Sequence, residues 1–384
     1  IADEAHRCTG KVSEKYGSVM DSTKIKAVKR VFMTATPRTY TTTFKKSAEA
    51  RGVDIASMDD ESVFGSVLHE LKFSQAIERG LLTDYRVVIV GVDDPMIHNW
   101  IQNRELLRTE TGIETDAEKL AAHIGLMKTI KEYDLKRVIS FHGRVKNAKN
   151  FVQDHKAVYK WVLQKERPDG ELIADYVSGK MPTGQRNLKI GNLKSIKNKE
   201  RALLANSRCL SEGVDVPALD GVAFIDPKRS QVDIIQSVGR AIRKSEEKSF
   251  GTVLIPVFIG NTENPQNSLE QSTYKPIWDV LNALKSHDDV LSDELDHSRT
   301  SVGKTKQLTI DQFKKIHIDL PISVSNEFSE KLKLFLVEST TNPWMFWYGL
   351  LKDYVELNKT SLIPRKYKNN QGYKLGSWLT AQRS

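Results

Sequence analysis

Short apolar runs rich in β-branched residues alternate along most of the chain with longer stretches of helical periodicity. The runs Val31–Thr34, Arg86–Val92, Arg137–Phe141, Leu172–Val177, Ala202–Ala205, Val222–Ile225 and Thr252–Phe258 predict strands. The stretches Asp116–Tyr133, Lys146–Lys165, Gly184–Ile196 and Ser230–Lys244 predict helices between them. Strands and helices in alternation predict parallel α/β layers, in which ligands bind beyond the carboxyl ends of strands. After about residue 260 the pattern changes. Asn261–Ser272 is polar and reads as a loop, and residues 276 to 338 read as helices with polar interruptions. From Asn342 onward aromatic and basic residues interleave: Trp344, Trp347, Tyr348, Tyr354, Tyr367, Tyr373 and Trp378. The polar stretch Gln102–Asp116 reads as an insertion. No repeat of fixed period and no low-complexity tract interrupts this order.

At 384 residues the chain can hold two or three domains, each with its own core. Its 39% hydrophobic and 28% charged content is that of an ordinary soluble protein. No apolar run approaches membrane-spanning length, and no secretory leader precedes the first motif. The two cysteines, Cys8 and Cys209, make no disulfide framework and lack metal-ligand spacing; they read as reduced thiols of a cytoplasmic protein. A net charge of +9 suits a polyanionic partner without specifying one. Ile1 and Ala2 read as the tail of a buried strand, and the chain stops inside a patterned segment after Trp378 and Arg383. Both ends therefore read as truncations.

Four short motifs carry the candidate chemistry. In Asp3-Glu4-Ala5-His6, two adjacent carboxylates at a strand end can divide the labour of phosphoanhydride hydrolysis. Asp3 would hold Mg²⁺ through water, and Glu4 would address the attacking water. The plain alternative is a solvated acidic turn. In Thr34-Ala35-Thr36-Pro37, the hydroxyls of Thr34 and Thr36 can bond the carboxylates of a neighbouring strand end and so sense a nucleotide, and both residues are candidate nucleic-acid contacts, although Thr and Pro commonly terminate strands. The segment Ser207–Pro217 offers Gly213 for close backbone approach, Asp215 for a ribose hydroxyl or an arginine, and Ser207 for a nucleic-acid phosphate; without the other motifs it is a polar loop. Finally, Gln236, Arg240 and Arg243 follow i, i+4, i+7 and so share one helix face, with Val232, Ile235 and Ile242 on the adjoining one. Two arginines and an amide on an exposed stripe suit bidentate contact with phosphate oxygens. An arginine at a γ-phosphate can supply roughly 10³ to 10⁵ in rate. Gly239 argues against a purely structural helix, because it costs about 1 kcal/mol relative to Ala.

Taken in order, Asp-Glu-Ala-His, Thr-Ala-Thr, Ser-Glu-Gly-Val-Asp-Val-Pro and Gln-x-x-Gly-Arg-x-x-Arg resemble motifs II, III, V and VI of superfamily 2 helicases. Val138–His142 sits where motif IV would be, with Arg144 just beyond it as a candidate nucleic-acid contact. Phe64-Gly65 and Ala76–Tyr85 are similar to the segment joining the two lobes in restriction-enzyme-like members. The resemblance covers residues 1 to about 260. It implies an α/β fold of RecA-like lobes with parallel sheets, the first lobe partial, followed by a small all-α domain. The domains expected are 1–85 for the end of the first lobe, 86–260 for the second, 261–338 for a helical linker region and 339–384 for a partial helicase-associated domain. The last rests on Trp344, Tyr348, Leu351, Tyr354, Ile363-Pro364, Tyr367, Gly372, Leu375-Gly376, Trp378 and Gln382-Arg383. Most of these aromatics read as the core of a small helical domain; an exposed Trp or Tyr can stack on a base, and Lys366, Lys368, Lys374 and Arg383 can meet phosphates.

The same resemblance implies ATP and Mg²⁺ as cofactors and nucleic acid as partner, with DNA expected over RNA and a nuclease or restriction-modification subunit as a possible companion. Arg243 would be the arginine finger, with Arg240 and the nucleotide-binding Gln236 beside it in the second lobe, and His6 would couple ATP to the second lobe. ATP binding would close the cleft between lobes and hydrolysis reopen it. One part of the pattern is missing. Gly303-Lys304-Thr305 imitates a phosphate-binding loop, but Ser298 stands where the first glycine belongs, and the stretch reads as a basic loop between helices. The loop is expected upstream, so this chain by itself is expected to hydrolyse ATP feebly or not at all. Two other readings stand beside the motor: a nucleic-acid clamp that does not hydrolyse, and a P-loop ATPase with protein substrates.

Overall fold

The computed structural model describes residues 1–11, 15–100, 117–207, 216–226, 230–260, 269–270, 272–305 and 313–383. The chain divides into two compact units, Ile1–Leu71 and Lys72–Ser384. The first unit is sparse in regular structure. Two short strands, β1 (Gly10–Lys11) and β2 (Ile55–Ala56), pair antiparallel. The helices Thr42–Glu49 and Glu61–Phe64 begin where Thr41 and Asp60 accept the N–H of Phe44 and Ser62, relieving amides that the first turn leaves unbonded. The expected strand Val31–Thr34 is reduced to an isolated parallel bridge between Ala2 and Phe32. Ile1 is 93% exposed rather than the tail of a buried strand.

The second unit is built on seven strands, all parallel: β3 (Asp84–Asp93), β4 (Arg137–His142), β5 (Glu171–Ser178), β6 (Glu200–Ser207), β7 (Gly221–Asp226), β8 (Phe250–Ile259) and β9 (Ile316–Asp319). Their order across the sheet is β5-β6-β4-β7-β8-β3-β9. Six of them are the expected runs. The central strands are apolar on both faces, and successive residues point to opposite sides. Val87 and Ile89 join one core cluster with the helices Thr183–Lys194, Gln231–Ala241, Lys275–Lys285 and Asn326–Thr340. Val88, Val90 and Val92 join the other with Ala117–Glu132 and Val145–Trp161. Each buried Val, Leu or Ile contributes about 1.5–3 kcal/mol.

Strand β9 was not expected. It is four residues long and lies in a stretch that otherwise reads as helical. A buried ion pair anchors the same region: Lys315 Nζ lies 2.8 Å from Asp288 Oδ2 and 3.1 Å from Asp84, and the Tyr85 hydroxyl donates to Asp288 at 2.8 Å. The helix expected over Lys146–Lys165 ends at Trp161, because Arg167 donates to the carbonyls of Lys160 and Val162 and turns the chain there. Gly303-Lys304-Thr305 is not a loop but the last turn of the helix Asp289–Thr305. A Cβ on Gly303 would lie 2.1 Å from the Phe346 carbonyl, so this glycine lets two helices cross in backbone contact. Gln102–Asp116 and most of Asn261–Ser272 lie outside the described residues.

The tail is all-α, with helices Pro343–Asn358 and Leu375–Arg383. Its aromatics stack chiefly on one another: Trp347 on Trp378 at 5.8 Å, Trp344 on Tyr348 at 5.2 Å and Tyr354 edge-on to Tyr367 at 4.8 Å. Trp344 and Tyr373 nevertheless stay 40% and 39% exposed. Among the described residues no helix is long and apolar enough to cross a membrane.

Candidate functional site

In the first unit the site grows from the Ala2–Phe32 bridge. Ala2 N–H donates to Val31 O, Met33 N–H to Ala2 O and Ala5 N–H to Met33 O, so the Asp-Glu-Ala-His and Thr-Ala-Thr segments lie side by side. Asp3 is exposed, and its Oδ1 accepts the Glu4 N–H at 2.9 Å. Glu4 adopts φ 52, ψ 41, a left-handed conformation that costs a side-chain-bearing residue about 1 kcal/mol or more. Such strain persists only where surrounding structure enforces it, and here it turns the two carboxylates out of the strand line. His6 is buried. Its Nδ1 lies 3.1 Å from Thr34 Oγ1, 3.4 Å from Thr36 Oγ1 and 3.4 Å from Glu4 Oε2. The two hydroxyls therefore meet the imidazole, where a carboxylate was expected. Thr36 is only 2% exposed, so in this conformation it reaches no external nucleic acid.

The second unit carries the arginines. Ser230 starts the helix Gln231–Ala241 by accepting the Asp233 N–H. Ile234, Ile235, Val238 and Ala241 bury one side of it. The expected exposed stripe does not form. Arg240 is 7% exposed, and Arg243 lies beyond the helix, which ends at Ala241. The i+7 relation assumes a helix that continues; instead Ile242 leaves helical geometry and Arg243 forms an antiparallel bridge with Leu82. Thr83 N–H donates to Ile242 O at 2.8 Å, and Lys244 Nζ to Gly80 O at 3.0 Å. Gln236 is half-buried on the same helix. A Cβ on Gly239 would meet nothing nearer than Phe73 at 4.0 Å, so packing among the described residues does not require the glycine.

Ser207 ends β6 with a fully buried hydroxyl that has no hydrogen-bond partner among the described residues. Gly213 and Asp215 lie outside the described residues. Arg144 is exposed at the start of the helix Val145–Trp161, at the carboxyl end of β4. At the same sheet edge, Asn147 donates to Asp226 at 2.6 Å. The clasp of Leu82 and Thr83 on Arg243 went unseen in the sequence, because nothing local signals a single bridge between residues so far apart.

Can these residues hold Mg²⁺ and a nucleotide? Among the described residues no three His, Cys, Asp or Glu side chains gather as a metal cage. Mg²⁺ itself keeps several waters and takes one or two carboxylates. Asp3 fits such a role with its second oxygen, and Glu4 keeps a partly exposed carboxylate beside it.

Residues 124–245 match the helicase conserved C-terminal domain, and residues 341–384 match the helicase associated domain. The chain is similar to a "Probable helicase" of African swine fever virus (isolate Pig/Kenya/KEN-50/1950), at 27% identity over 267 residues, covering 69% of this chain and 26% of that protein. It thus spans about a quarter of the length of the curated relatives it matches. Among solved structures it resembles the ATP-dependent Type ISP restriction-modification enzyme LlaBIII bound to DNA. The TM-score is 0.71 at 27% identity, over 89% of this chain and 23% of that one.

Proposed function

Since the chain belongs to the superfamily 2 helicases and ends in a helicase-associated domain, we propose that it forms part of an ATP-driven motor that moves on nucleic acid, DNA in preference to RNA. The observation that carries this reading is the pair of built motif groups. One is Asp3-Glu4 with His6 locked to Thr34 and Thr36; the other is Arg240 and Arg243 at the tethered end of the helix Gln231–Ala241. A passive clamp needs neither a strained carboxylate pair nor a fixed pair of arginines.

Asp3 would hold Mg²⁺ through water, and the ion would supply neutralising charge for the phosphates of ATP. Glu4 would orient the attacking water and take its proton. Arg243 would stabilise the charge that develops on the γ-phosphoryl group, and Arg240 and Gln236 would bind phosphate oxygens. Gly213 and Asp215 belong to the ribose end of this scheme. His6, through Thr34 and Thr36, reports the state of the carboxylates to the neighbouring segment. Arg144, exposed at the carboxyl end of β4, takes a nucleic-acid phosphate, whereas the Ser207 hydroxyl is fully buried in this conformation and reaches none. The DNA preference rests on the likeness to a DNA-bound restriction-modification enzyme. By the same analogy a nuclease or modification partner belongs to the whole protein.

The test is ATP hydrolysis by the intact protein with and without DNA and RNA, beside Arg243→Ala. The motor reading expects DNA-stimulated turnover that the variant loses. Absence of nucleic-acid-dependent turnover at any salt concentration would leave the clamp.

A further inference from the structure

One half-buried cation near the arginines has no part in the scheme above. Lys248 lies in the connection between the helix Gln231–Ala241 and β8. Its ammonium donates to three backbone carbonyls: Ala241 O at 2.7 Å, Leu219 O at 2.5 Å and Pro217 O at 2.9 Å. An ammonium has three protons, and all three are used. Ala241 closes the arginine helix, where carbonyls lack partners within the helix and the dipole favours a cation. Pro217 and Leu219 lie in the turn that closes the Ser207–Pro217 segment and leads into β7, with Leu219 N–H donating to Val216 O. One side chain therefore ties the ends of two motif-bearing segments together.

We propose that Lys248 is a positioning residue for Arg240 and Arg243, pinning the end of their helix to the Pro217–Leu219 turn so that the two motif segments keep a fixed relation. The consequence for turnover rests on the motor reading above; the clip itself does not. Its surroundings agree. A Cβ on Gly251 would lie 2.7 Å from the same Ala241 carbonyl, so β8 starts in backbone contact with the helix end. Thr83 holds the next carbonyl, Ile242 O, from the other side. The helix end is thus fixed by three separate chain segments, as expected of groups that must be placed before charge develops.

The titratable neighbours are Asp220, which faces Lys248 and accepts the N–H groups of Lys136 and Arg137, and Arg243 on the helix side; Arg137 is itself paired with Glu247. Burial, with Arg243 adding to it, lowers Lys248 to about 8 against the opposing pull of Asp220. Deprotonation removes one donor and the charge, so the clip loosens as pH rises through that value.

The experiment compares the intact wild-type protein with Lys248→Met and Lys248→Arg. Amide hydrogen exchange at pH 7, without nucleotide, is expected to rise about tenfold at Ile242–Arg243 and at Leu219–Asp220 in the methionine variant. DNA-stimulated kcat is expected to fall about tenfold with KM for ATP nearly unchanged, the pattern of an interaction that matters in the transition state. Arginine, which stays charged, is expected to restore part of kcat and to flatten the alkaline fall near pH 8. Unchanged exchange at either segment overturns the clip. Raised exchange with an unaltered kcat and pH profile reduces Lys248 to scaffold and overturns the positioning role. If the wild type hydrolyses no ATP, the motor reading fails and the catalytic consequence with it, while the exchange result still decides whether the clip exists.

Discussion

In the first unit the motif side chains meet one another; in the second the described contacts fix the backbone that carries the arginines. His6 meets Thr34, Thr36 and Glu4 through one ring nitrogen, in a segment whose only strand pairing is an isolated bridge. Arg243 is placed through a bridge to Leu82 and a hydrogen bond at the preceding carbonyl, on a helix whose other side is sunk in a core. The first arrangement can change with one proton or one rotamer. The second moves only if packed elements move. A group that must respond to a nucleotide suits the first construction, and a group that must already be in place suits the second.

The comparison is broken most severely by Arg243→Ala. If the second unit supplies a preset charge, nucleic-acid-stimulated turnover of the intact protein drops by roughly 10³ or more while the fold is kept. A drop of only a few fold, in the same assay, would mean that Arg243 is not the finger.

Acid offers the next largest effect, and it acts on the second unit. His123, His142 and His155 lie together in its core, with His123 Nδ1 3.1 Å from His155 Nδ1. Burial lowers His142 and His155 to about 4 and holds His123 well below its ordinary value of 6.5. Below pH 6.5 the unfolded chain takes up protons that the folded core refuses. Stability is therefore complete above pH 6.5 and falls as the pH drops toward 4. Asp220, raised to about 6 by burial, acts in the opposite direction, because there the folded state takes the proton first. Three histidines outweigh one carboxylate. At pH 5 each histidine with a shift of this size costs about 2 kcal/mol. A thermal melt at pH 7 and pH 5 is expected to show a clearly lower transition in acid, lessened in His155→Leu; coincident transitions would refute the shared burial.

Gly303→Val comes third. The new side chain meets the Phe346 carbonyl and is expected to destabilise the helix crossing by about 2 kcal/mol or more, seen as a lower urea midpoint. Thr34→Ala removes one contact to His6 and costs about 1 kcal/mol. It is expected to loosen amides around Ala5 and Met33 while exchange in β3 to β8 stays as in the wild type. Smallest is Gly239→Ala. Nothing blocks the methyl, so the helix is expected to gain up to about 1 kcal/mol. Turnover is expected to fall all the same if the glycine leaves room for a phosphate; a more stable variant with full turnover would show that it does not.

These contrasts follow what a sequence can convey. Six strands were legible: the five interior ones because strands buried on both faces are runs of Val, Ile and Leu that no other element imitates as well, and the edge strand β5 from its run Leu172–Val177. Strand β9 was not, because four residues with His317 and Asp319 at alternate places carry too little pattern. Val31–Thr34 has strand composition but only Ala2 for a ladder, and composition says nothing of partners. The motif order brought out the residues of the site without their setting. That Arg240 is buried and Arg243 lies past the helix end depends on where the helix stops, which is set by contacts from Leu82 and Lys248. Those contacts connect residues far apart in the chain, beyond the reach of any local pattern.

The place of β3 in the sheet has a consequence for how the protein is made. It is the first strand of its sheet to leave the ribosome, yet its two neighbours, β8 and β9, are the last: Val87 pairs with Val253 on one side and Ile316 on the other. At about 5–20 residues per second of synthesis, β3 waits roughly 10–30 s for its first partner. Throughout that interval a ten-residue segment with four valines and one isoleucine has both edges open. The sheet therefore cannot close around β3 until the chain beyond residue 250 has been made, so slow synthesis between residues 93 and 250 lengthens the exposure of this one segment.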